Sequence, residues 1–454
     1  MFRNTLVAAA LSVAYSGMAL AAVTAEEAKQ LGTTLTPIGA EKAGNKDGTI
    51  PEWTGGLTTP PAGFVKGSGF RPDPFAADKP RLTIDAKNVA QHADKLTMGM
   101  QELIKRNPGT YRIDVYPTRR PVTYPKRLLD NAAKNAVTAK TANGGLSVEG
   151  AIPGVPFPIA KTGHEVMWNH LLRFTGNTYC PKYDAWNVDS AGVPTLATVG
   201  ESWQEYPIYL GNKTDAIKGT DIYFRIKLNY LGPARRNGEA VLVQDSVNPL
   251  EQPRRAWQYL PGQRRVKAAP DLAYDTPNPG AAGALTYDDA FMFSGAMDRY
   301  DFKLVGKKEM YIPYNSYKLY YQPGTPQNVM KPKHMNPDLE RWELHRVWVV
   351  EATLKEGKRH IYAKRVLYID EDSWIIVATD QYDARGQLFV SQFMPTPFSY
   401  DQLAPTTSLQ YYYNFVAGNY GFQGMCGLHK GLFYNDGLPE RDWSPDSLAG
   451  AGVR

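Results

Sequence analysis

Residues 221–231 read DIYFRIKLNYL, and this stretch decides the class of fold. Polar and apolar side chains alternate along it, which is the period of a β-strand because successive side chains point to opposite sides of a sheet. One face is apolar and comprises Ile222, Phe224, Ile226, Leu228 and Tyr230. The other face carries Arg225 and Lys227. The stretch therefore predicts a strand that buries one face.

The same alternation recurs through the rest of the chain. Strands are also predicted at 196–210, 240–247, 254–260, 263–268, 300–305, 309–312, 317–322, 345–354, 360–369, 374–382 and 387–394. Turns such as Pro261-Gly262 and Glu356-Gly357 separate them and favour antiparallel neighbours. Strands and helices do not alternate regularly along the chain, so we expect one large curved antiparallel sheet.

Helical signals are concentrated before residue 175. A capping box at Thr24–Glu27 begins a short helix, and apolar spacing predicts helices at 84–106, 126–142 and 164–174. Residues 33–81 are rich in Gly, Pro and Thr and predict an extended arm. The predicted fold is α+β and mostly β.

The predicted domain organisation is one domain over residues 22–454. It comprises the arm and helices in about 22–175 and the sheet in about 176–435. The residues from Asp436 onward predict a loose polar tail.

The N-terminus has the features of a secretory signal peptide over residues 1–21. Arg3 precedes an apolar run, and Ala19-Leu20-Ala21 is a small-residue cleavage site. We expect cleavage after Ala21 and export to the periplasm, without a lipid anchor because no cysteine follows the site. A disulfide between Cys180 and Cys426 is then expected, and two buried free thiols are the alternative.

Composition excludes several broad classes of function. The 454 residues carry a formal net charge of +6, which gives no case for a nucleic-acid partner. The mean hydropathy is −0.41, and the only long apolar run is N-terminal, which excludes a polytopic helical membrane protein.

Several segments resemble a known family. Residues 255–270, RAWQYLPGQRRVKAAP, resemble a hairpin of LolA-like outer-membrane lipoprotein-sorting proteins, as does the run at 345–388. Three further segments make the resemblance specific to one family. They are NKDGTIPEWTGG at 45–56, TYDDAFMFSG at 286–295 and GKKEMYIPYNSY at 306–317. The chain resembles the secreted family called domain of unknown function 1329, within the LolA/LolB-like superfamily.

The resemblance implies an unclosed half-barrel whose concave side holds helices and an apolar groove. It also implies that the protein functions together with an MMPL-type transporter of the RND superfamily and an outer-membrane protein. No catalytic residue is carried over from the family, so the chain is not expected to be an enzyme.

The strand at 345–354 is apolar on both faces, so it is either buried between layers or lines a cavity. We predict a ligand groove walled by Phe224, Ile226, Trp348 and Val350. A two-residue turn at Pro261-Gly262 would place Arg264 beside Tyr259 and Trp257, and these three are the predicted rim. A solvated hairpin is the alternative for these residues.

Other patterns argue against a metal or a cofactor. His164 and His170 do not have the spacing of zinc ligands, and the turn at 45–50 lacks the carboxylates of a calcium loop. Acidic groups at Asp288-Asp289 and at 370–372 lie in predicted turns, where carboxylates usually cap and are solvated.

The sequence therefore favours a non-enzymatic periplasmic carrier or adaptor for a hydrophobic or amphiphilic, lipid-like molecule. One alternative is a structural adaptor whose concave side is filled by its own helices. Another is a secreted hydrolase that acts on glycan or lipid.

Overall fold

The computed structural model describes residues 23–211 and 213–452. The predicted signal peptide at 1–21 and its cleavage site lie outside the described residues. Within the described part, no helix has both the length and the apolar character needed to cross a membrane.

The α-helices are short. They are α1 Ala25–Ala28, α2 Met98–Arg106, α3 Lys126–Thr138, α4 Gly163–Leu171, α5 Tyr317–Tyr321 and α6 Pro326–Val329. The helix predicted at 84–106 is divided, because Thr97 caps α2 by accepting a hydrogen bond from the Met100 amide. The strand predicted at 317–322 is wrong: Tyr317, Tyr320 and Tyr321 are buried at helical spacing in α5.

The strands dominate the fold. They are β1 Leu82–Ile84, β2 Ile113–Tyr116, β3 Lys140–Ala142, β4 Ser147–Glu149, β5 Thr178–Val188, β6 Pro194–Glu205, β7 Ile222–Gly232, β8 Ala240–Ser246, β9 Arg255–Leu260, β10 Arg265–Ala268, β11 Tyr300–Pro313, β12 Trp342–Leu354, β13 Lys364–Asp370, β14 Ile376–Tyr382, β15 Leu388–Phe393, β16 Phe398–Ser399, β17 Ala404–Pro405, β18 Gln410–Asn414, β19 Asn419–Met425 and β20 Phe433–Tyr434.

A 16-stranded sheet organises the chain in the order β1-β2-β12-β13-β14-β15-β18-β19-β5-β6-β7-β8-β9-β10, with β11 beside β12 and β20 beside β5. The order does not return to its start, so the sheet is unclosed. Its pairs are antiparallel apart from β2 with β12, which is parallel. The mostly β, half-barrel prediction is confirmed, and two strands of the N-terminal part, β1 and β2, join the sheet.

Helix α4 shows how strongly the sheet curves. His164 of α4 lies 5.3 Å from Phe302 of β11, and Trp168 lies 6.3 Å from Tyr223 of β7, measured between ring centroids. Strands β11 and β7 are far apart in the sheet order, so one helix can touch both only if the sheet bends around it. The face that carries α4 is the concave face. Helix α2 packs on the convex face, where the Met98 amide donates to Asp380 at 2.8 Å.

A disulfide joins Cys180 of β5 to Cys426, which follows β19, with a Cα–Cα distance of 6.0 Å. The predicted pairing is confirmed. Because β19 pairs with β5, the bond joins the end of one strand to its neighbour in the middle of the sheet.

The C-terminal segment, residues 436–449, is not the loose tail that its polar composition predicted. Trp443 and Leu448 are buried on the convex face against Tyr259 and Leu242. The Arg225 guanidinium carbon lies 4.6 Å from the centroid of the Trp443 ring, and Arg225 also pairs with Glu440 at 2.8 Å. Apolar anchors therefore hold the segment in place.

We predict that Trp443→Ala lowers the free energy of unfolding by about 3 kcal/mol, because it removes a buried indole. Leu250→Ala is the control, since Leu250 is an exposed leucine. Urea denaturation measures both. Equal, small losses for the two variants would show that the segment is not held by this contact.

Candidate functional site

A cavity of about 110 Å³ lies on the concave face. Its floor is formed by the neighbouring strands β18, β19, β5, β6 and β7, and its cover by residues 278–292, here called the covering segment. The lining residues are Tyr183, Ser202, Gln204, Ile226, Leu228, Asn278, Ala290, Phe291, Thr407, Ser408, Gln410, Gln423, Gly424 and Cys426.

Two of the predicted wall residues belong to this region. Ile226 lines the cavity itself, together with Leu228 on the same strand. Phe224 is buried beside it, with its ring centroid 5.4 Å from that of Phe291 in the covering segment. The period-two pattern of β7 therefore directs these side chains to the concave face.

The other two predicted wall residues lie elsewhere. Trp348 stacks on Trp374 at 6.0 Å, with the Lys307 ammonium 4.7 Å from its ring centroid. Val350 is fully buried in the main core. Trp374 in turn donates its indole N–H to the Ile38 carbonyl oxygen at 2.9 Å. This part of the concave side is filled by the protein's own residues, and neither Trp348 nor Val350 lines the cavity.

The predicted rim residues do not reach the cavity. The register pairs Arg265 with Leu260 and Val266 with Tyr259, so the predicted two-residue turn is wrong. Arg264 lies just before β10, and its backbone φ of 48° is in the left-handed region, so it is not part of the strand. Trp257 and Tyr259 alternate onto the convex face, where they pack with the C-terminal segment.

A buried carboxylate pair fixes the covering segment. Arg365 of β13 donates to Asp288 at 2.8 Å, and the His360 ring lies 3.0 Å from the same carboxylate oxygen. Burial favours the protonated form of Asp288, but the charge of Arg365 and the contact with His360 hold its pKa well below the ordinary range. The expectation that these carboxylates are solvated is wrong, because the interior supplies their countercharge.

Asp289 connects the same segment to a row of amides on the sheet. Its carboxylate accepts hydrogen bonds from Gln381 at 2.6 Å and from Gln392 at 2.8 Å, and its backbone oxygen accepts one from Gln410 at 2.8 Å. The glutamine side chains are also bonded to one another in sequence. Gln392 donates to Gln381, Gln410 donates to Gln392, and Gln423 donates to Gln410. This glutamine row, Gln381, Gln392, Gln410 and Gln423, crosses four strands and ends in the cavity.

Phe291 covers the cavity in an unusual backbone conformation. Phe291 and Met292 have φ angles of 55° and 74°, which non-glycine residues rarely adopt. The His170 Nε2 atom lies 3.1 Å from the Phe291 carbonyl oxygen, and its Nδ1 accepts the Ile376 amide at 3.1 Å. Burial and then the charge of Arg173 lower the pKa of His170 well below its ordinary value, so a neutral ring holds Phe291 in place.

The cavity is equipped for binding. Its described lining contains no histidine and no carboxylate, and Cys426 is bonded to Cys180. Hydroxyl groups, amides and a few apolar side chains remain, which can hold a molecule by hydrogen bonds and contact.

A second buried cluster lies at the β13–β14 turn. The ligand atoms of His345, Asp370 and Asp372 lie within 4.8 Å of one another, a composition suited to a cation although the sequence predicted no metal. Arg120, however, donates to both Asp372 oxygens, at 2.8 and 2.7 Å. A cation would have to displace this guanidinium, so the arrangement is that of an internal ion-pair network.

A family model described as "Protein of unknown function (DUF1329)" matches residues 83–449. An uncharacterized protein of Pseudomonas aeruginosa is 43% identical over 438 residues, which cover 96% of this chain and 95% of that protein.

Two solved structures are also similar to this chain. A DUF1329 family protein from Desulfovibrio piger has a TM-score of 0.41 at 15% identity and covers 63% of this chain and 95% of its own. A LolA superfamily protein from Nitrosomonas europaea has a TM-score of 0.36 at 10% identity, covering 63% of this chain and 100% of its own.

We predict that Arg365→Met lowers the free energy of unfolding by about 3–5 kcal/mol, because it leaves Asp288 and Asp289 buried without a cation. Arg385→Met is the matched control, since Arg385 pairs with Asp383 at the surface. Guanidinium denaturation compares them. A loss for Arg365→Met no larger than for Arg385→Met would contradict the role of this arginine.

Burial and the neighbouring charge of Asp372 raise the pKa of Asp370 from 3.8 to about 6. The folded state therefore keeps this proton at a pH where the unfolded state has lost it. We predict that the contribution of Asp370 to stability is complete below pH 3.8, the ordinary pKa of the group, and is lost as the pH rises to about 6. Unfolding free energies measured across this window should fall less in Asp370→Asn, and Asp47→Asn in the exposed arm should behave as wild type. An unchanged slope in Asp370→Asn would contradict the assignment.

Proposed function

The chain belongs to the DUF1329 family, and from that premise we propose that it is a non-enzymatic periplasmic carrier or adaptor. It binds an amphiphilic molecule between the curved sheet and the covering segment. The observation that carries the proposal is the cavity on the concave face, where Ile226, Leu228 and Phe291 adjoin a floor of amides and hydroxyl groups.

The position of the cavity supports carriage. Five neighbouring strands supply its floor, and the covering segment is held over it by Asp288, Asp289 and His170. A site covered in this way can shield part of an amphiphile from water. Apolar contact with Ile226 and Leu228 would contribute roughly 25 cal/mol for each Å² buried.

The proposed compartment follows from the predicted signal peptide and agrees with the disulfide, since disulfides persist in oxidising spaces. As working partners we propose an MMPL-type transporter of the RND superfamily and an outer-membrane protein, which the family resemblance implies. The transporter would load or unload the bound molecule.

A structural adaptor is the second candidate, and one observation favours it. Helix α4, Trp348 and Val350 fill much of the concave side with the protein's own residues. In that case the cavity would be a small packing defect and would hold only water. The hydrolase alternative has less support, because the described lining of the cavity offers neither a carboxylate nor a histidine.

We predict that protein purified without detergent carries an amphiphile that native mass spectrometry detects and solvent extraction releases. Leu228→Trp should lose this mass, because an indole would occupy the cavity. Leu231→Trp on the same strand is the matched control and should keep it, since Leu231 is 45% exposed. Circular dichroism checks that both variants are folded.

Two results would contradict the carrier. One is wild-type protein with no added mass, and the other is an added mass that Leu228→Trp leaves unchanged. The first would favour the structural adaptor, and the second would place the ligand elsewhere on the molecule.

A further inference from the structure

Resting on the proposed function, we infer that the cavity holds the head of the amphiphile, and that this head is uncharged and rich in hydroxyl groups, as a sugar or a polyol is. The inference deepens the carrier proposal, because it names the chemical class of the ligand. It departs from the apolar groove that the family resemblance implied.

The main support is a set of polar side chains that the protein itself leaves unbonded. Tyr183, Ser202, Gln204 and Thr407 line the cavity and are between 4% and 8% exposed. Within residues 23–211 and 213–452, no side-chain hydrogen bond is formed by any of the four. The polar atoms of these four side chains remain accessible in the cavity, so they can form hydrogen bonds with a molecule that occupies it.

The sheet directs these groups to one place. Ser202 and Gln204 are two residues apart on β6, so they share a face, and the register sets them opposite Leu228 and Ile226 of β7. Tyr183 lies on β5, the other neighbour of β6. The pattern of one hydroxyl or amide opposite one aliphatic side chain occurs twice between β6 and β7, which suits a ring with both C–H and O–H groups.

The hydrogen bonds of the glutamine row all run in the same direction. Asp289 accepts from the amide nitrogens of Gln381 and Gln392, so their carbonyl oxygens point along the row toward the next glutamine. Gln423, at the end of the row, donates to Gln410 at 3.4 Å. Its carbonyl oxygen accepts no hydrogen bond in the described part of the chain and is available to a donor in the cavity. A hydroxyl group both donates and accepts, and therefore matches this mixture of groups.

The described lining offers no countercharge to the common ionic heads. None of the fourteen lining residues is Asp, Glu, Lys, Arg or His. A phosphate, sulfate or ammonium group moved into this space would lose its hydration without gaining an ion pair, which is strongly unfavourable.

The size of the cavity agrees with a head rather than a long tail. At about 110 Å³ the cavity has several times the volume that a single buried water needs, but it is short for a long acyl chain. Phe291 would cover the C–H side of a hydroxylated ring, and the tail would continue past Ile226 and Leu228.

The test uses three single-chain probes of equal tail length, n-octyl β-D-glucoside, octyl sulfate and octyltrimethylammonium, together with methyl β-D-glucoside, which lacks the tail. Isothermal titration at monomeric probe concentrations measures affinity for delipidated protein. We expect octyl glucoside to bind at least tenfold more tightly than either charged probe. The double variant Ser202→Ala/Gln204→Met should weaken its binding by roughly tenfold, because two hydrogen bonds are lost.

Thr195→Val is the matched control, since Thr195 is an exposed residue of the same strand, and it should bind as wild type does. The single variant Ser202→Ala, expected to weaken binding about threefold, keeps the test valid if the double variant fails to fold.

The outcomes separate the two proposals. Equal binding of all three octyl probes, unaffected by the cavity variants, would overturn the head-group inference and leave the carrier. Selective binding of methyl glucoside with no gain from the octyl tail would support the hydroxylated ligand and overturn the carrier of amphiphiles. Binding of none of the four probes would overturn both.

Discussion

The buried Asp289 carboxylate is the contact on which the rest of the site depends. It is fully enclosed, and it joins the covering segment to the amides of Gln381 and Gln392 on the sheet. A buried carboxylate without such donors would be costly, so the segment can lie only where these partners are. This fixes Phe291 over the floor and leaves the cavity beneath it. The neighbouring ion pair between Asp288 and Arg365 also holds the covering segment to the sheet.

Much of the fold could be predicted from the sequence, because a period of two residues and turn residues are local signals. Strands β7, β8 and β12 were found in this way, and the disulfide was found from the presence of two cysteines in a chain predicted to be exported. Strands β5, β18 and β19, which form the middle of the sheet, were not. The aromatic run Tyr411–Tyr413 is buried on both sides of β18 and shows no alternation of polarity, so only its pairing with β15 and β19 identifies it as a strand.

The site was only partly predictable, for two physical reasons. Ile226 was found because its strand has one apolar face. Trp348 lies on a strand that is apolar on both faces, and only its stacking on Trp374 shows that it packs against the core. Asp288 and Asp289 looked like solvated turn residues, because Arg365, the cation that permits their burial, is 77 residues away from Asp288 in sequence. The glutamines of the row carry no local signal at all, since their relation appears only when β14, β15, β18 and β19 lie side by side.

The most direct measurement of the central claim is photo-crosslinking in living cells with p-benzoylphenylalanine in place of Phe291, whose ring covers the cavity. The same substitution at exposed Leu231 is the comparison. If an amphiphile is bound beneath the covering segment, irradiation should add a defined small-molecule mass to the protein labelled at Phe291 and not to the protein labelled at Leu231. No adduct at Phe291, or the same adducts at both positions, would contradict the account.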